Sequence, residues 1–399
     1  MKVSMNGKTF HLFLIPTFAL LLFCLTPSSC KQKALKSAAQ ANADKTRSTQ
    51  VQQKDSLDMA ITAFMNQFKI PGVSIVMLDK NAETTSRVYG HLQKGKDDLI
   101  NEQTVFSVGS VSKVINAIMT LKLVAEGELD LDKDVDLYLK DFKINEGRTK
   151  GPVITLRHLL SHTAGTSVHG FADFYPDEPL PTTLQILNGE SPAKNKKVKV
   201  ILPVGQQFKY SGGGITIIQK IIEDVTQMPY HEAAYFILFK PMGMKRSSFE
   251  NPLPENYENI AKAHDNNSNP VALPRGYQAM PEKAASGLWT TPGDLMRILY
   301  NIYESDQKQT AGFLPPTIIK DMTSREVNSE FGLGPYVGRY RNNTIISHNG
   351  SNESYKARFC MFWDDGVGYV ILTNGSNGTE FINKIKLNIE DHLGLDSTL

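Results

Sequence analysis

Apolar residues at Leu57, Ile61, Phe64, Met65 and Phe68 follow the three- and four-residue spacing of one helical face and predict an amphipathic helix. Two short runs come next, "PGVSIVML" and "TSRVYG", which read as the strands of a hairpin. After Ser110 the spacing turns helical again through Val114, Ile115, Ile118, Met119, Leu121 and Val124, dense enough for a buried helix. Residues 111 to 305 read as mostly helical, with loops rich in Pro, Gly and Asn. The chain then returns to strands in "FGLGPYVGRY", "NTIISH", "KARFCMFW" and "GVGYVILTN", and closes on a helix around "FINKIKLNIEDHL". Strands at both ends with helices between predict an α+β fold. One antiparallel sheet is completed by both termini and flanked by helices, with a mainly helical region inserted. The irregular stretch from 251 to 283 is long for a connection and reads as a binding surface.

The N-terminus is different in kind. Lys2 and Lys8 precede the run "LFLIPTFALLLFCL", which Pro16 interrupts and which is too short for a spanning helix. Residues 1–29 read as an export signal. Its end, "TPSSC", resembles a bacterial lipoprotein signal, which implies lipidation of Cys30 and attachment to a membrane through that lipid. Pro27 is unusual at such a site, and plain secretion with Cys30 as a spare thiol is the alternative. Residues 30–56 carry too little apolar surface to fold alone and read as a flexible tether. The folded domain is expected over 57–395, with its sheet region at about 57–110 and 330–395 and the helical insertion at about 111–305. The expected location is the bacterial cell envelope, facing the periplasm or the exterior.

Composition removes several classes. Lys and Arg number 43 against 41 Asp and Glu, a net charge of +2 that falls to zero once Lys2 and Lys8 leave with the signal. Nothing in that balance suggests nucleic acid as a partner. Beside Cys30, Cys360 would be the thiol left after processing, so no disulfide framework is available, and "RFCMF" reads as buried packing.

The candidate chemistry begins in "SVGSVSKVI". Ser110 and Lys113 stand three apart, a spacing that places both on one helical face. A serine in the first turn of a helix lies near unpaired N–H groups and the positive end of the dipole. A lysine drawn into that apolar setting has a lowered pKa and can act as a base. The spacing alone is weak evidence, because S-x-x-K also starts at Ser28, Ser191 and Ser305. An N-cap serine beside a snorkelling lysine is the plain alternative. What separates Ser110 is the buried helix that follows it.

"TVFSVGSVSKVINAIMTLKLVAEGELDLDKDV" resembles the nucleophile region of the serine β-lactamases, DD-peptidases and related esterases. The resemblance continues in order through "IPGVSIVML", "TLRHLLSHTAG", "PVGQQFKYSGGGITIIQKIIEDVT", "AASGLWTTPGDL", "ISHNGSNESYKARF" and "YVILTNG". It implies Ser110 as an acylated nucleophile, Lys113 as its direct proton acceptor or as the group that holds the site's charge pattern, and Tyr210 of "YSG" as the group exchanging protons with nucleophile and leaving group. A cation beside the phenol is needed for that role, and Lys113 is expected to supply it. It further implies substrate contacts at Gly212, His348, Gly350 and Ser351, and an oxyanion hole from the N–H groups of Ser110 and Ser351. Gly212 departs from the asparagine usual in the family, and "HNG" replaces Lys-Thr-Gly. His348 is expected to be a partly charged, weak anchor for a substrate carboxylate. Both departures favour an ester, or a D-amino-acid peptide or amide, over efficient β-lactam hydrolysis. A catalytically silent binding protein or sensor of the same fold is the rival from another class.

Other chemistries have less support. His158 and His162 lie four apart, but Leu159 stands where a zinc-binding H-E-x-x-H motif has glutamate, and no metal is expected. "HEAAY" lacks the second histidine, G-x-S-x-G is absent, and "GLGPYVG" lies among strands with no following helix. No cofactor is therefore expected, and the expected partner is a small-molecule or peptide substrate. Phe171, Phe174 and Tyr175 in "GFADFY" read either as the mouth of a cleft or as a loop pinned by its own side chains.

Overall fold

The computed structural model describes residues 55–149 and 151–395. The export signal, Cys30 and nearly all of the tether lie outside the described residues.

The two apolar runs without alternation become central strands. β1 (Gly72–Leu78) and β8 (Val367–Thr373) are buried at every position, because helices cover both faces of the sheet. β2 (Thr84–Gly90) is an edge strand and exposes Thr84 and Thr85. β5 (Tyr336–Tyr340), β6 (Asn343–Ser351) and β7 (Lys356–Phe362) complete the order β2-β1-β8-β7-β6-β5. Every neighbouring pair is antiparallel. The two ends of the domain thus meet in one sheet, where β1 pairs with β8 from Val73↔Thr373 to Leu78↔Gly368.

Side-chain alternation assigns the faces. Val73, Ile75 and Met77 pack with Cys360, Phe362, Tyr369 and Ile371 beneath α1 (Ser56–Phe68) and the C-terminal helix Gly378–His392. Cys360 is buried there, and desolvation pushes its thiol up to about 11. Asp55 caps α1 by accepting the Leu57 N–H. On the opposite face lies a larger core that includes α2 (Ser112–Ala125), whose residues 112–121 are all buried.

Two details of the expected layout change. The region expected to be helical also holds a short strand, β4 (Trp289–Thr290), paired with β3 (Phe106–Ser107). In "FGLGPYVGRY" only Tyr336–Tyr340 is strand. Gly334 takes a φ of 113°, and a Cβ there would lie 2.4 Å from that of Ala117 on α2, so the chain turns against the helix instead of pairing. β5 stops pairing with β6 at Tyr336↔Ser347, whereas β6 continues to Ser351 along β7. His348–Ser351 therefore keeps β7 on one side and an open edge on the other, facing the start of α2.

Candidate active site

Ser110 occupies the tight turn Gly109–Val111 that leads into α2. It precedes the helix, where the pattern had placed it in the first turn. The turn keeps helical backbone angles at Val111 (φ −59°, ψ −25°), so Ser110 and Lys113 still share a face. Ser112, which the sequence did not single out, braces the bend. Its hydroxyl donates to Gly109 O (2.6 Å) and accepts from Leu288 N (3.0 Å). β3 and β4 hold the approach, and Val108 N donates to Leu288 O (3.1 Å).

Lys113 is 2% exposed. Its Nζ donates to Ser110 Oγ at 3.0 Å and to Ala285 O at 2.7 Å, the latter from the short helix Lys283–Ser286. Burial lowers its pKa to about 7, so a large neutral fraction exists at physiological pH. Tyr210 lies alongside, with Nζ 5.1 Å from its ring centroid. The expected lowering of the phenol by Lys113 is not what governs it: burial pushes Tyr210 up to about 12, against a smaller opposing pull from a hydrogen bond with Ser110. Tyr210 is thus a protonated phenol in contact with the candidate nucleophile, competent to give a proton and recover it.

His348 differs from the expectation. It is buried, and desolvation with the Lys113 charge lowers it to about 3, so it is neutral across the physiological range. Its Nδ1 lies 2.6 Å from Asn349 O. A carbonyl only accepts, so Nδ1 carries the proton and Nε2 presents a lone pair. Nε2 has no hydrogen-bond partner among the described residues. His348 is therefore an acceptor and not an anchor for a carboxylate.

β6 meets the Ser110 turn backbone to backbone. A Cβ on Gly350 would sit 1.9 Å from Val108 O, and one on Gly109, where φ is +50°, would sit 2.6 Å from Ser351 N. Only glycine at both places lets the strand bring the Ser351 N–H beside Ser110. Asn352 ties the end of β6 down by donating to Ser107 Oγ (2.7 Å) and Ser286 O (3.1 Å).

Gly212 opens the helix α3 (Gly212–Thr226), capped by Ser211, whose hydroxyl accepts from Gly214 N. Its own N–H donates to His169 O at 3.0 Å. A Cβ there would lie 2.9 Å from the Phe171 ring and 3.2 Å from His169 O. The room an asparagine side chain would use is filled by the loop before it. Gly212→Asn is therefore expected to destabilise by about 1–3 kcal/mol through overpacking and to confer no gain in β-lactam hydrolysis. A melting curve and a nitrocefin assay check both; a stable variant with raised nitrocefin turnover would refute this account.

A cleft of about 530 Å³ opens on Ser110, Tyr210, His348, Gly350 and Ser351 together. Phe331, Tyr336, His169 and Arg358 also line it and were not anticipated, because their segments read only as loop or strand. Arg358 donates to Asn349 Oδ1 (2.8 Å). His162, weighed earlier as a metal ligand, instead places its buried ring 4.4 Å from that of Tyr210, tilted by 38°. His158 bonds Thr155 in the cap of the helix Leu156–Leu160. Phe171 packs beside Gly212, whereas Phe174 is buried and bridges to Ala279.

An antiparallel sheet closed by both termini, with a serine–lysine pair at the start of its central helix and a tyrosine beside them, defines a penicillin-recognising type of fold. The family model described as Beta-lactamase matches residues 57–393, and the chain belongs to that family. It is similar to Esterase EstB of Burkholderia gladioli, at 24% identity over 66% of this chain and 72% of that protein. It is also similar to Protein flp of Staphylococcus aureus strain MW2, at 24% identity over 83% of this chain, and spans 65% of the length of that relative. Among solved structures, a D-amino acid amidase from Ochrobactrum anthropi SV3 shares the fold. Its TM-score is 0.67 at 18% identity, over 85% of this chain and 99% of that one. Family and neighbours together point to hydrolase activity.

Proposed function

We propose that the protein is a serine hydrolase that works through an acyl-enzyme. The observation that carries this reading is the buried Lys113, 3.0 Å from Ser110 Oγ with its pKa lowered to about 7. Neutral Lys113 takes the Ser110 proton as Oγ attacks the substrate carbonyl. The developing oxyanion is held by the N–H groups of Ser110 and Ser351. Tyr210 passes a proton to the leaving group, whose departure leaves the acyl ester on Ser110. Water, with its proton accepted by the same pair, then frees the acid and restores Ser110.

Small esters and D-amino-acid amides or peptides are the substrates this arrangement favours. The filled space beside Gly212 and the neutral His348 both argue against efficient β-lactam turnover. Esterase EstB, by its name an esterase, accords with that preference. We further propose that the protein is held at the cell envelope by a lipid on Cys30.

Intact-mass spectrometry of protein isolated from its native membrane fraction tests both proposals. The expected result is a diacylglyceryl mass on Cys30 and, after incubation with a fluorophosphonate, one further adduct mapped to Ser110. Parallel incubations with penicillin and a D-Ala-D-Ala peptide would narrow the substrate. Failure of every reagent to label Ser110 would favour a silent binding protein; an unmodified Cys30 would remove the anchor.

A further inference from the structure

The carbonyl that holds Lys113 belongs to a helix too short to hold itself in place. Lys283–Ser286 has four residues, and no side chain of its own segment caps its N-terminus. A single turn fixes many backbone angles for few hydrogen bonds, so its position is set by what it touches. At its C-terminal end the carbonyls of Ser286 and Gly287 accept from Asn352 Nδ2 (3.1 Å) and Asn251 Nδ2 (2.7 Å). At its N-terminal end the Ala284 N–H, one of the donors a helix leaves open, donates to Gln219 Oε1 at 3.0 Å. Gln219 thus takes the part of a capping residue from another helix.

Gln219 is 1% exposed on α3, and its amide has one consistent orientation. A backbone N–H only donates, so the oxygen must face Ala284. Nε2 then faces Thr183 Oγ1 (3.0 Å) and Glu223 Oε1 (3.2 Å). Thr183 gives its own proton to Glu223 Oε1 (3.0 Å), which leaves the threonine oxygen free to accept. A second cavity, of about 470 Å³, opens on Gln219, Thr183, Glu223 and Lys283. It shares no lining residue with the cleft at Ser110, so Gln219 does not meet a substrate there. Any influence it has on the reaction passes through the helix it holds.

Two links join this amide to the reacting groups. Ala284 is followed by Ala285, whose carbonyl accepts from Lys113 Nζ at 2.7 Å. Tyr210 lies just before Gly212, where α3 begins, so the helix that carries Gln219 starts beside the proton donor. Gln219 follows two turns later, about 10 Å along the axis. One helix therefore sets the Tyr210 end of the site and, through Gln219, the Lys113 end. We propose that Gln219 is a positioning residue, which fixes the turn Lys283–Ser286 so that Ala285 O holds Lys113 Nζ against Ser110 Oγ. The inference rests on the acyl-enzyme reading above and adds to it a residue that touches no substrate. Without the Gln219 oxygen the fully buried Ala284 N–H is left unpaired, and the turn must shift to satisfy it.

A double-mutant cycle tests this. Acylation by p-nitrophenyl acetate is followed in single turnovers for wild type, Gln219→Met, Lys113→Met and the double variant, each corrected with Ser110→Ala protein. Gln219→Met nearly keeps the volume and removes the acceptor. In the wild-type background it is expected to lower the acylation rate constant by about tenfold or more, with the half-saturating ester concentration within about twofold. In the Lys113→Met background the same change should alter the rate by less than about twofold, because the carbonyl no longer has a base to hold. Equal losses in the two backgrounds would mark a general structural role, and no loss in the first would mark no role; either overturns the inference. If Gln219→Met fails to fold, the half-buried Glu223→Met, which frees the Gln219 amide on its other side, decides by the same comparison. Acylation of Ser110→Ala protein at the wild-type rate would overturn the acyl-enzyme reading, and the inference with it.

Discussion

Ser110→Ala is expected to lower kcat by about 10⁶-fold while leaving a cooperative melt, because members of a catalytic unit fail together and the residual rate reflects binding alone. The fold should survive, since the Ser110 hydroxyl bonds only within the site, to Tyr210 and to Lys113 among the described residues, and Lys113 keeps Ala285 O as its second acceptor. The Ser110 turn is held by Ser112 and by the Val108 to Leu288 bond, neither of which uses the Ser110 hydroxyl. Single-turnover kinetics on an activated ester, with the melt recorded on the same sample, check the expectation. Wild-type turnover in the variant would remove Ser110 from the reaction.

Lys113→Met is expected to separate activity from stability. Acylation should fall by about a thousandfold with the loss of the base, while the melting temperature at pH 7 rises. The sign follows from the folded pKa of about 7 against an ordinary value of 10.5. Between these values the unfolded chain holds a proton that the folded chain has released, so wild-type stability increases with pH across that window. The penalty of burying Lys113 is full below about pH 7 and gone above 10.5. The stability advantage of Lys113→Met should therefore be largest at neutral and lower pH and shrink towards about pH 10. In the wild type, kcat/KM should rise as pH passes through about 7, the point at which Lys113 becomes a free base. A flat profile from about pH 6 to 8, or a variant within a few-fold of wild-type rate, would assign the base elsewhere.

Much of the sheet was legible because its signal is local. "PGVSIVML" and "GVGYVILTN" read as strands from their unbroken apolar character, and they are β1 and β8, buried throughout. The Ser110–Lys113 spacing was legible too, but it took the buried helix that follows and the ordered resemblance downstream to distinguish it from three equal spacings elsewhere. Less legible were features set by distant packing. Nothing in "FGLG" marks Phe331 as part of the cleft, because its place depends on Gly334 meeting Ala117 on a helix more than 200 residues earlier. Arg358 sits in an apolar-looking strand, and its access to the cleft follows from β5 ending opposite Ser347. The charge expected on His348 was wrong for a related reason: burial and the Lys113 charge are tertiary facts, and together they hold the ring neutral.

Apolar periodicity was enough for the α+β plan and the pairing of the two ends in one sheet, and the ordered family resemblance supplied the short roster of Ser110, Lys113, Tyr210 and His348. These are properties of neighbours along the chain, or of an order that survives without coordinates. Protonation states and the space beside Gly212 depend on which distant groups share a volume from which water is excluded. Desolvation acts through that volume, and neither Lys113 nor His348 differs along the chain from any surface lysine or histidine until the fold closes around it.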